Sequence, residues 1–542
     1  MYAQDDWRFR PNLTVNLGLR WEMATVVNDN RGGIINLINL TDPAPLCGTF
    51  ITGCAPGGPL FGNFTRRNFE PRVGFAWDPF HNGKTAVRGS FGLFDILPMA
   101  YQYIASNTKQ FPFVQSGAAN PGPGSFYTGA FSQLTPKTAG SSSIEQYPRR
   151  SYVMQWNFNV QRELARNLTL MAGYVGSRGV HEPFRTDDAD IVLPTKTPAG
   201  YLYPQVDVLG NVFVAGQCNQ TDPNGSDAAQ CSPPSKINDG FGSIARLHYE
   251  GNSFYNALEL AVQKAMSHGV QFQTSFTWGK SIDTGSATGH GDQFSNSISS
   301  LPAYDLRALR ARSDFDIKRS LVVSLTWQVP SPKSLSGPAA WVTSGWEVGG
   351  IYKVSDGIPF TPTWGTGGDP QGLLNSDDWA FPNRLNTPGC ATLTNPGNPN
   401  NYLKTQCFTV PTAPDMAFSN ANCDPAPPSL GGPIAGSNLP PLACFNLRGN
   451  SGRNAVTGPG LMNLDFSVFK NNSIKRISES LNVQFRTEFF NVLNRANFAL
   501  PSIALFRTDI FDGTGTPSPT AGVLTSTATP GREIQFALKF VW

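Results

Sequence analysis

The sequence predicts an all-β membrane fold, a transmembrane antiparallel β-barrel with long extracellular loops, and three observations support this prediction. Hydrophobic and polar residues alternate with a period of two, charged residues make up only 15% of the 542 residues, and short turns alternate with long loops. Soluble domains carry about 25% charged residues. No apolar run approaches the roughly 18 residues of a transmembrane helix, so a barrel is the membrane fold that remains.

The alternation is clearest in the last two predicted strands. Leu481, Val483, Phe485, Thr487 and Phe489 fall on one face of the segment 480–493, and residues 534–542 repeat this alternation up to the final tryptophan. Successive side chains of a strand point to opposite faces. The polar face places Arg486 beside Glu488, and burying such charges in a dry core is costly unless they are paired. We therefore predict lipid on one face and a wet lumen on the other.

The same alternation predicts thirteen strands. They lie at residues 2–9, 13–22, 71–77, 85–94, 152–164, 168–175, 253–266, 270–280, 315–329, 346–355, 461–470, 480–493 and 534–542. A tilted strand crosses a bilayer in roughly 9 to 11 residues, which most of these segments provide. Because an odd antiparallel set cannot close on itself, we expect an open sheet whose neighbours follow chain order.

The connections set the orientation. Bacterial barrels have short periplasmic turns and long extracellular loops, so the alternation of short and long connections places the C-terminal Trp542 on the periplasmic side. Sandwiches and propellers also consist of alternating strands. Sandwiches rarely have long loops at one side only, and we find no repeat of about 40 residues that would indicate a propeller.

The start of the chain predicts that more protein precedes it. Met1 is followed directly by YAQDDWRF, without the charged and apolar regions of a signal peptide. An outer-membrane protein requires export, so we expect this chain to be the back portion of a longer one.

Six segments resemble the barrel of a TonB-dependent outer-membrane transporter (receptor) of the Oar-like subgroup. They are YAQDDWRFRPNLTVNLGLRWE at the start, NFEPRVGFAWDP at 68–79, YVMQWNFNVQRELARNLTLMAGYVGSRG at 152–179, NSFYNALELAVQK at 252–264, GPGLMNLDFSVFK at 458–470 and LNVQFRTEFFNVLNRANF at 481–498. The resemblance implies a barrel of about 22 strands around a plug. Residues 1–542 would then be a partial barrel that lacks the N-terminal regulatory-like domain, the plug and the first strands.

The resemblance also implies partners and a location. The protein would lie in the outer membrane of a Gram-negative-type bacterium, contact its lipid and the barrel-assembly machinery, and meet the TonB complex through the missing N-terminal region. The alternating end with Phe540 and Trp542 resembles the C-terminal assembly signal. An unknown ligand would bind the outer loops. The net charge of +3 and the lack of a Lys/Arg block argue against nucleic acid as a partner.

All eight cysteines fall in predicted outer loops, which favours disulfides because that side of the membrane is oxidising. Sequence order predicts that near neighbours pair, since closing a short segment costs less entropy than closing a long one. Three connectivities stay open for the four cysteines between residues 357 and 459. The candidate pairs are Cys47 with Cys54, Cys218 with Cys231, Cys390 with Cys407, and Cys423 with Cys444.

Six charged side chains are predicted to face the lumen. Charges on the strands of a plugged barrel pair with one another, with the plug or with water, and a sharper alternative is that some line the substrate path. These residues are Arg20, Glu22, Arg72, Arg88, Arg486 and Glu488.

The chain carries no motif that indicates an enzyme or a cofactor. His181-Glu182 lacks the second histidine of a zinc protease, and neither a nucleophile elbow nor a phosphate-binding loop occurs. We predict no catalytic residue, no cofactor and no metal. The loop residues Asp187, Asp188 and Asp190 leave open a calcium site, although their spacing is not that of an EF-hand.

Three functions fit these observations. The first is TonB-dependent uptake of an unidentified substrate, the second is a non-transport role in adhesion or surface assembly, and the third is a passive 14-stranded channel. A plug and a TonB-box upstream would distinguish the first from the second, and the strand count of the intact protein would identify the third.

Overall fold

The fold is described by a computed structural model over most of the chain. It describes residues 1–27, 36–42, 60–100, 140–186, 188–190, 195–197, 200–202, 237–238, 241, 243–287, 303–332, 334, 336–366, 381–409, 449–474, 478, 481–501, 508–512 and 517–542.

One large sheet dominates the described residues. Its thirteen main strands are β1 (Tyr2–Arg10), β2 (Leu13–Trp21), β3 (Phe69–Trp77), β4 (Thr85–Asp95), β5 (Tyr152–Ala165), β6 (Leu168–Thr186), β7 (Ser243–Ser267), β8 (Val270–Asp283), β9 (Arg319–Gln328), β10 (Trp346–Ser355), β11 (Leu461–Ser473), β12 (Asn482–Phe490) and β13 (Glu533–Val541).

Neighbouring strands of this sheet follow chain order from β1 to β13, and each is antiparallel to the next. Among the described residues, β1 pairs only with β2 and β13 only with β12, so the sheet does not close. The predicted number of strands, their order and the open sheet are confirmed. Two-residue turns join the tightest pairs, and Gly269, between β7 and β8, adopts a positive φ of 76° that favours glycine there.

Strand lengths differ from the prediction at the loop side. Strands β6 and β7 have 19 and 25 residues, because both continue past the alternating segment, across a bulge near Glu250. The added part of β7 pairs in parallel with a short strand, Gly140–Ile144. Strand β9 begins at Arg319 rather than at the predicted residue 315, because the carboxylate of Asp316 accepts a hydrogen bond from the backbone N–H of Ser281 (2.7 Å) and holds the preceding residues in a turn.

The two faces of the sheet differ in chemistry. On the apolar face large side chains are exposed, for example Phe158 at 49%, Trp278 at 54% and Phe536 at 69%. The polar face carries hydrogen-bonded amides and hydroxyls, such as Asn157, whose Nδ2 donates to Ser90 Oγ. The register keeps the faces separate: Gln484 pairs with Asn471 and Lys539, while Phe485 pairs with Leu538 and with Lys470. The Lys470 ammonium is hydrogen-bonded to Trp341 O and Asn472 Oδ1.

Short connections join the strands at one end and long connections join them at the other. We call these two ends of the strands the turn end and the loop end. Most shorter elements lie at the loop end. They are the strands Gly140–Ile144, Thr195–Thr197, Gly200–Leu202, Ala311–Arg312, Pro359–Phe360, Pro362–Thr366, Asn383–Arg384, Phe408–Thr409, Val456–Thr457 and Thr508–Asp512, the helices Leu306–Leu309 and Gly337–Thr343 (the latter at the turn end), and 3-10 turns at Phe64–Arg67, Ala303–Asp305, Pro399–Asn401 and Thr405–Cys407. No helix in the described part of the chain is both long and apolar enough to span a membrane.

The buried hydrophobic core lies at the loop end. Its largest cluster joins residues from separate loops, including Phe360, Leu403, Val456, Ile510 and Leu524. We call the described loop residues between 303 and 318, between 356 and 460, and between 491 and 532 the cap, and the thirteen strands the wall.

Candidate ligand-binding surface

A recess on the polar face lies across strands β1 to β7. It has a volume of about 560 Å³, and its lining includes Asn16, Arg72, Ser90, Gln155 and Asn157. The register explains why these side chains meet, because Arg72 stands opposite Gly18 on one side and Gly92 on the other. The two glycines leave room for the guanidinium, which lies over the Phe94 ring with Cζ 4.5 Å from its centroid. The recess therefore offers a fixed cation among neutral hydrogen-bonding groups.

A chain of charges follows the loop end of β2 to β4. The buried Glu70 carboxylate accepts from Arg72 Nη2 (2.8 Å) and lies 3.9 Å from Arg20 Nε, while Arg20 also pairs with Glu22. Arg20, Glu22 and Arg72 are among the charges predicted to face the lumen, and the structure brings them together around Glu70. The sequence prediction omits Glu70, which precedes Pro71 at the margin of the predicted strand.

The chain of charges continues to Arg150, which joins β4 to the segment before β5. Its guanidinium donates to both Asp95 carboxylate oxygens (2.6 and 2.8 Å) and to the carbonyl of Phe69 (2.7 Å). The hydrogen bond to Asp95 raises the pKa of Arg150. This bidentate pair fixes the end of β4 against the segment before β5.

Arg453 connects the cap to the wall. Its side chain is 1% exposed and forms ion pairs with Asp283, at the end of β8, and with Asp314 (2.9 Å) in a cap loop. It also donates to the carbonyl of Leu309 (3.2 Å) and to Ser286 Oγ (3.3 Å). One cation therefore joins the loop before β11, which carries Arg453, to the end of β8 and to the loop between β8 and β9. A buried ion pair of this kind is strongly destabilised when one partner is removed.

The cap closes over the polar face. Asp283 stands opposite Ser253, whose hydroxyl hydrogen-bonds Glu182 (2.9 Å), so these groups share the polar face of β6 to β8. Phe184, two residues after Glu182, packs in one buried cluster with Leu309 and Phe381 from the cap. Cap residues therefore contact the polar face by both an ion pair and a hydrophobic cluster.

The cap has an interior like that of a small soluble domain. The Tyr402 hydroxyl donates to the carbonyl of Thr457 (2.9 Å), and burial raises the pKa of Tyr402 to about 12. Beside it, Cys390 and Cys407 form a disulfide with Cα atoms 5.5 Å apart. This pairing is the one that sequence order predicts. Cys47, Cys54, Cys218, Cys231, Cys423 and Cys444 lie outside the described residues.

The other three charges predicted to face the lumen do not belong to the chain of charges around Glu70 and Arg150. Arg88 Nη1 donates to Gln161 Oε1 (2.9 Å), and Arg486 lies over the Phe469 ring with Cζ 5.2 Å from the centroid. Glu488 stands between Ser467 and Gln535 in the register. All three remain on the polar face of the wall.

Two of the loop carboxylates that leave a calcium site open accept hydrogen bonds from the backbone. Asp188 Oδ1 accepts backbone hydrogen bonds from Asp190 (2.9 Å) and Ile244 (3.0 Å), and Asp190 Oδ1 accepts from Asn238 (2.8 Å). Asp187 lies outside the described residues. Within the described part of the chain, no group of three or more potential metal ligands occurs.

The residues of the predicted assembly signal lie at the end of β13, which pairs only with β12 among the described residues; Phe540 is within the strand and Trp542 follows it. Phe540 is 54% exposed and Trp542 is 83% exposed, and Phe540 stands opposite Val483 on the apolar face.

Sequence reasoning misses the Arg453 connection completely. Arg453 lies in a Gly/Ser/Asn-rich loop, where no periodicity marks a residue as buried.

A two-faced antiparallel sheet with loops packed over one end is the architecture of an outer-membrane barrel protein. The family model for the outer membrane beta barrel domain matches residues 1–535, and the chain belongs to this family. The protein is therefore placed in the outer membrane. No curated protein matches the chain significantly.

Solved structures that the chain resembles include three outer-membrane proteins. The outer membrane transporter YddB from Escherichia coli aligns with a TM-score of 0.44 at 10% identity, over 100% of this chain and 44% of that one. The FrpB iron transporter from Neisseria meningitidis gives 0.38 at 11%, over 99% and 44%. The ferripyoverdine receptor of Pseudomonas aeruginosa gives 0.38 at 9%, over 100% and 38%. The chain thus spans less than half the length of these structures.

Proposed function

We propose that this chain forms the wall and the extracellular cap of a TonB-dependent uptake receptor. The observation that supports this proposal is the contact between the cap and the polar face, through Arg453 with Asp283 and through Leu309 and Phe381 with Phe184. A ligand would bind at the cap and then move along the polar face.

The position of the cap favours a gated receptor over the two alternatives. A passive channel requires an open path along the polar face, whereas here loops pack onto that face at its loop end. An adhesin would project its binding loops outward, but the largest hydrophobic cluster among the described residues draws the loops together. A gate that opens only when energy is supplied is consistent with both features.

The proposal assigns an orientation and roles to the wall. The loop end is extracellular, because long loops are extracellular in bacterial barrels, and the polar face lines the lumen. The remainder of the barrel, a plug and the contact with the TonB complex would belong to an N-terminal region beyond this chain. Phe540 and Trp542 would engage the assembly machinery at the periplasmic edge. The predicted charges would line the lumen: Arg20, Glu22, Arg72, Arg88, Arg486 and Glu488.

Energy-dependent depletion of medium compounds tests this function even though the substrate is unidentified. Cells that express the full-length protein would be compared with cells that lack it, each with and without a working TonB complex. We expect at least one compound to be depleted only when both are present. Depletion that does not require TonB would instead identify a passive channel, and unchanged medium with altered surface attachment would identify an adhesin.

A further inference from the structure

The connection between β9 and β10 differs from the tight turns at the turn end because it contains a helix. Strand β9 ends at Gln328 and β10 begins at Trp346, whereas two-residue turns join β1 to β2 and β7 to β8. The helix covers Gly337–Thr343, and we call it the turn helix. A two-residue turn is enough to join neighbouring antiparallel strands, so the turn helix adds a surface that reversal of the chain does not require.

The turn helix is uncharged and exposed. Its sequence is GPAAWVT, and none of its residues is buried. Trp341 is 58% exposed and Val342 is 54% exposed. A helix on the surface of a soluble protein normally turns its polar side to water and packs its apolar side on the core. The turn helix instead presents its largest apolar side chains outward, which is typical of a surface that binds another apolar phase.

The carbonyl groups of the turn helix find their partners within the protein. Four successive carbonyl oxygens, from residue 339 to residue 342, each accept a hydrogen bond from a side chain. The pairs are Thr343 Oγ1 to Ala339 O (2.8 Å), Ser344 Oγ to Ala340 O (2.6 Å), Lys470 Nζ to Trp341 O (2.8 Å) and Trp346 Nε1 to Val342 O (2.7 Å). The last carbonyls of a helix lack partners within the helix, and water satisfies them when the helix end is hydrated. Side chains take the place of water here, as a helix end in contact with lipid requires.

Lys470 joins the turn helix to the apolar face of the wall. It stands opposite Trp346 on β10 and opposite Phe485 on β12. Its Nζ lies 5.3 Å from the centroid of the Trp341 ring and 5.8 Å from that of the Trp346 ring. An ammonium group on a lipid-facing surface is costly without partners, and the two indole rings and the helix carbonyl provide them. The C-terminal end of the turn helix therefore lies on the lipid side of the wall.

The turn helix lies at the level where the hydrocarbon ends. Strand β10 (Trp346–Ser355) has 10 residues, about the number that a tilted strand needs to cross the hydrocarbon. Trp346 is the first of them and therefore stands at the boundary on the turn-end side, and the turn helix comes just before it in the chain. Tryptophan is favoured at this level, because its ring is apolar while its N–H can form hydrogen bonds among the headgroups.

We propose that the turn helix inserts into the phospholipid leaflet at the turn end and attaches this side of the wall to it. Trp341 and Val342 would lie among the acyl chains next to the headgroups. The helix continues the lipid-facing surface of β10 and β11, it carries no charge, and its carbonyls at residues 339–342 do not require water. The inference depends on the apolar face of the wall meeting lipid and not on uptake, so it and the proposed function can fail separately.

Quenching of a fluorescent label tests the insertion. The label is attached to Val342→Cys in the full-length protein without other cysteines, reconstituted in vesicles of phosphatidylethanolamine and phosphatidylglycerol that contain a spin-labelled phospholipid. Asn82→Cys is the matched control, because Asn82 is exposed in the turn between β3 and β4 at the same end of the wall. The spin-labelled lipid should quench the label at 342 at least about threefold more strongly than the label at 82, and iodide should act in the opposite order.

Equal access of iodide to the two labels would overturn the proposal. A turn helix that binds a periplasmic protein instead of lipid would give this result, because the vesicles contain no such protein.

A charge placed in the helix provides a second test. Ala339→Glu lies one turn before residue 342 on the same side of the helix, so it should release the helix from lipid and raise iodide quenching at 342 to the level at 82. Ser336→Glu places the same charge before the helix and should leave quenching at 342 unchanged. Heat-modifiable mobility on gels shows whether each variant has folded. Unchanged quenching in a folded Ala339→Glu variant would contradict insertion, and if this variant fails to fold, the comparison of positions 342 and 82 decides.

Discussion

The wall and the cap follow opposite rules of burial within one chain. Large apolar side chains of the wall are exposed, as with Phe536 at 69%, whereas Leu403 and Ile510 in the cap are 0% exposed. The wall has hydrophobic residues on its surface because that surface faces lipid, and it is held by strand-to-strand hydrogen bonds. The cap lies in water and therefore needs a core, buried ion pairs and a disulfide. The comparison teaches that burial has to be judged against the local solvent.

This difference predicts that the two regions fail independently. Changes in the cap should loosen the loops and leave the wall assembled, because the wall's register does not depend on cap contacts. A charge introduced into the apolar face of the wall should prevent assembly.

Removal of the buried cation at residue 453 should lower the stability of the cap more than any other change considered. Arg453→Met leaves Asp283 and Asp314 buried without their cation, and the free energy of unfolding of the cap should fall by about 3–5 kcal/mol. Hydrogen exchange of the cap amides would measure this loss, while heat-modifiable mobility reports the wall. The matched control is Arg453→Met with Asp283→Asn and Asp314→Asn, which removes the stranded charges and should recover most of the stability. A single variant as stable as the wild type would show that the ion pairs do not hold the cap.

A cation on the apolar face should block assembly of the wall. Phe485→Arg adds a second cation beside Lys470 on the lipid face, at a cost that reaches roughly 2–4 kcal/mol at mid-bilayer, while Gln484→Arg places the same charge on the polar face at little cost. The amount of folded, heat-modifiable protein in outer membranes distinguishes the two variants. Equal assembly would mean that the assigned faces are exchanged, because a slip of one residue moves every side chain to the other face.

Loss of the disulfide should weaken the cap by a smaller amount. The bond closes a segment with a sequence separation of 17, for which the chain-entropy account gives about 3 kcal/mol before native strain and residual structure reduce it. Cys390→Ser and Cys407→Ser should each have the same effect on cap hydrogen exchange as the double variant, since either change breaks the bond. Additive effects of the two single variants would show that the cysteines act separately.

The sequence predicts the wall far better than the cap, for a physical reason. A strand between lipid and water repeats every two residues, so the faces of Phe485 and Gln484 can be identified from their neighbours alone. The cap is built by contacts between loops far apart in sequence, such as Arg453 with Asp283, and no local pattern encodes them. The disulfide between Cys390 and Cys407 is predictable because nearby thiols meet first. The ends of β6 and β7 cannot be predicted in this way, because the alternation of hydrophobic and polar residues stops where the strands leave the lipid.

The central claim is that the apolar face of the wall meets lipid and the polar face meets water. A fluorescent label attached to Phe485→Cys or to Gln484→Cys in a variant without other cysteines, reconstituted in bilayers, tests it most directly. The account predicts that a lipid-soluble quencher acts mainly on the label at 485 and a water-soluble quencher mainly on the label at 484. Equal or reversed quenching at the two positions would contradict it.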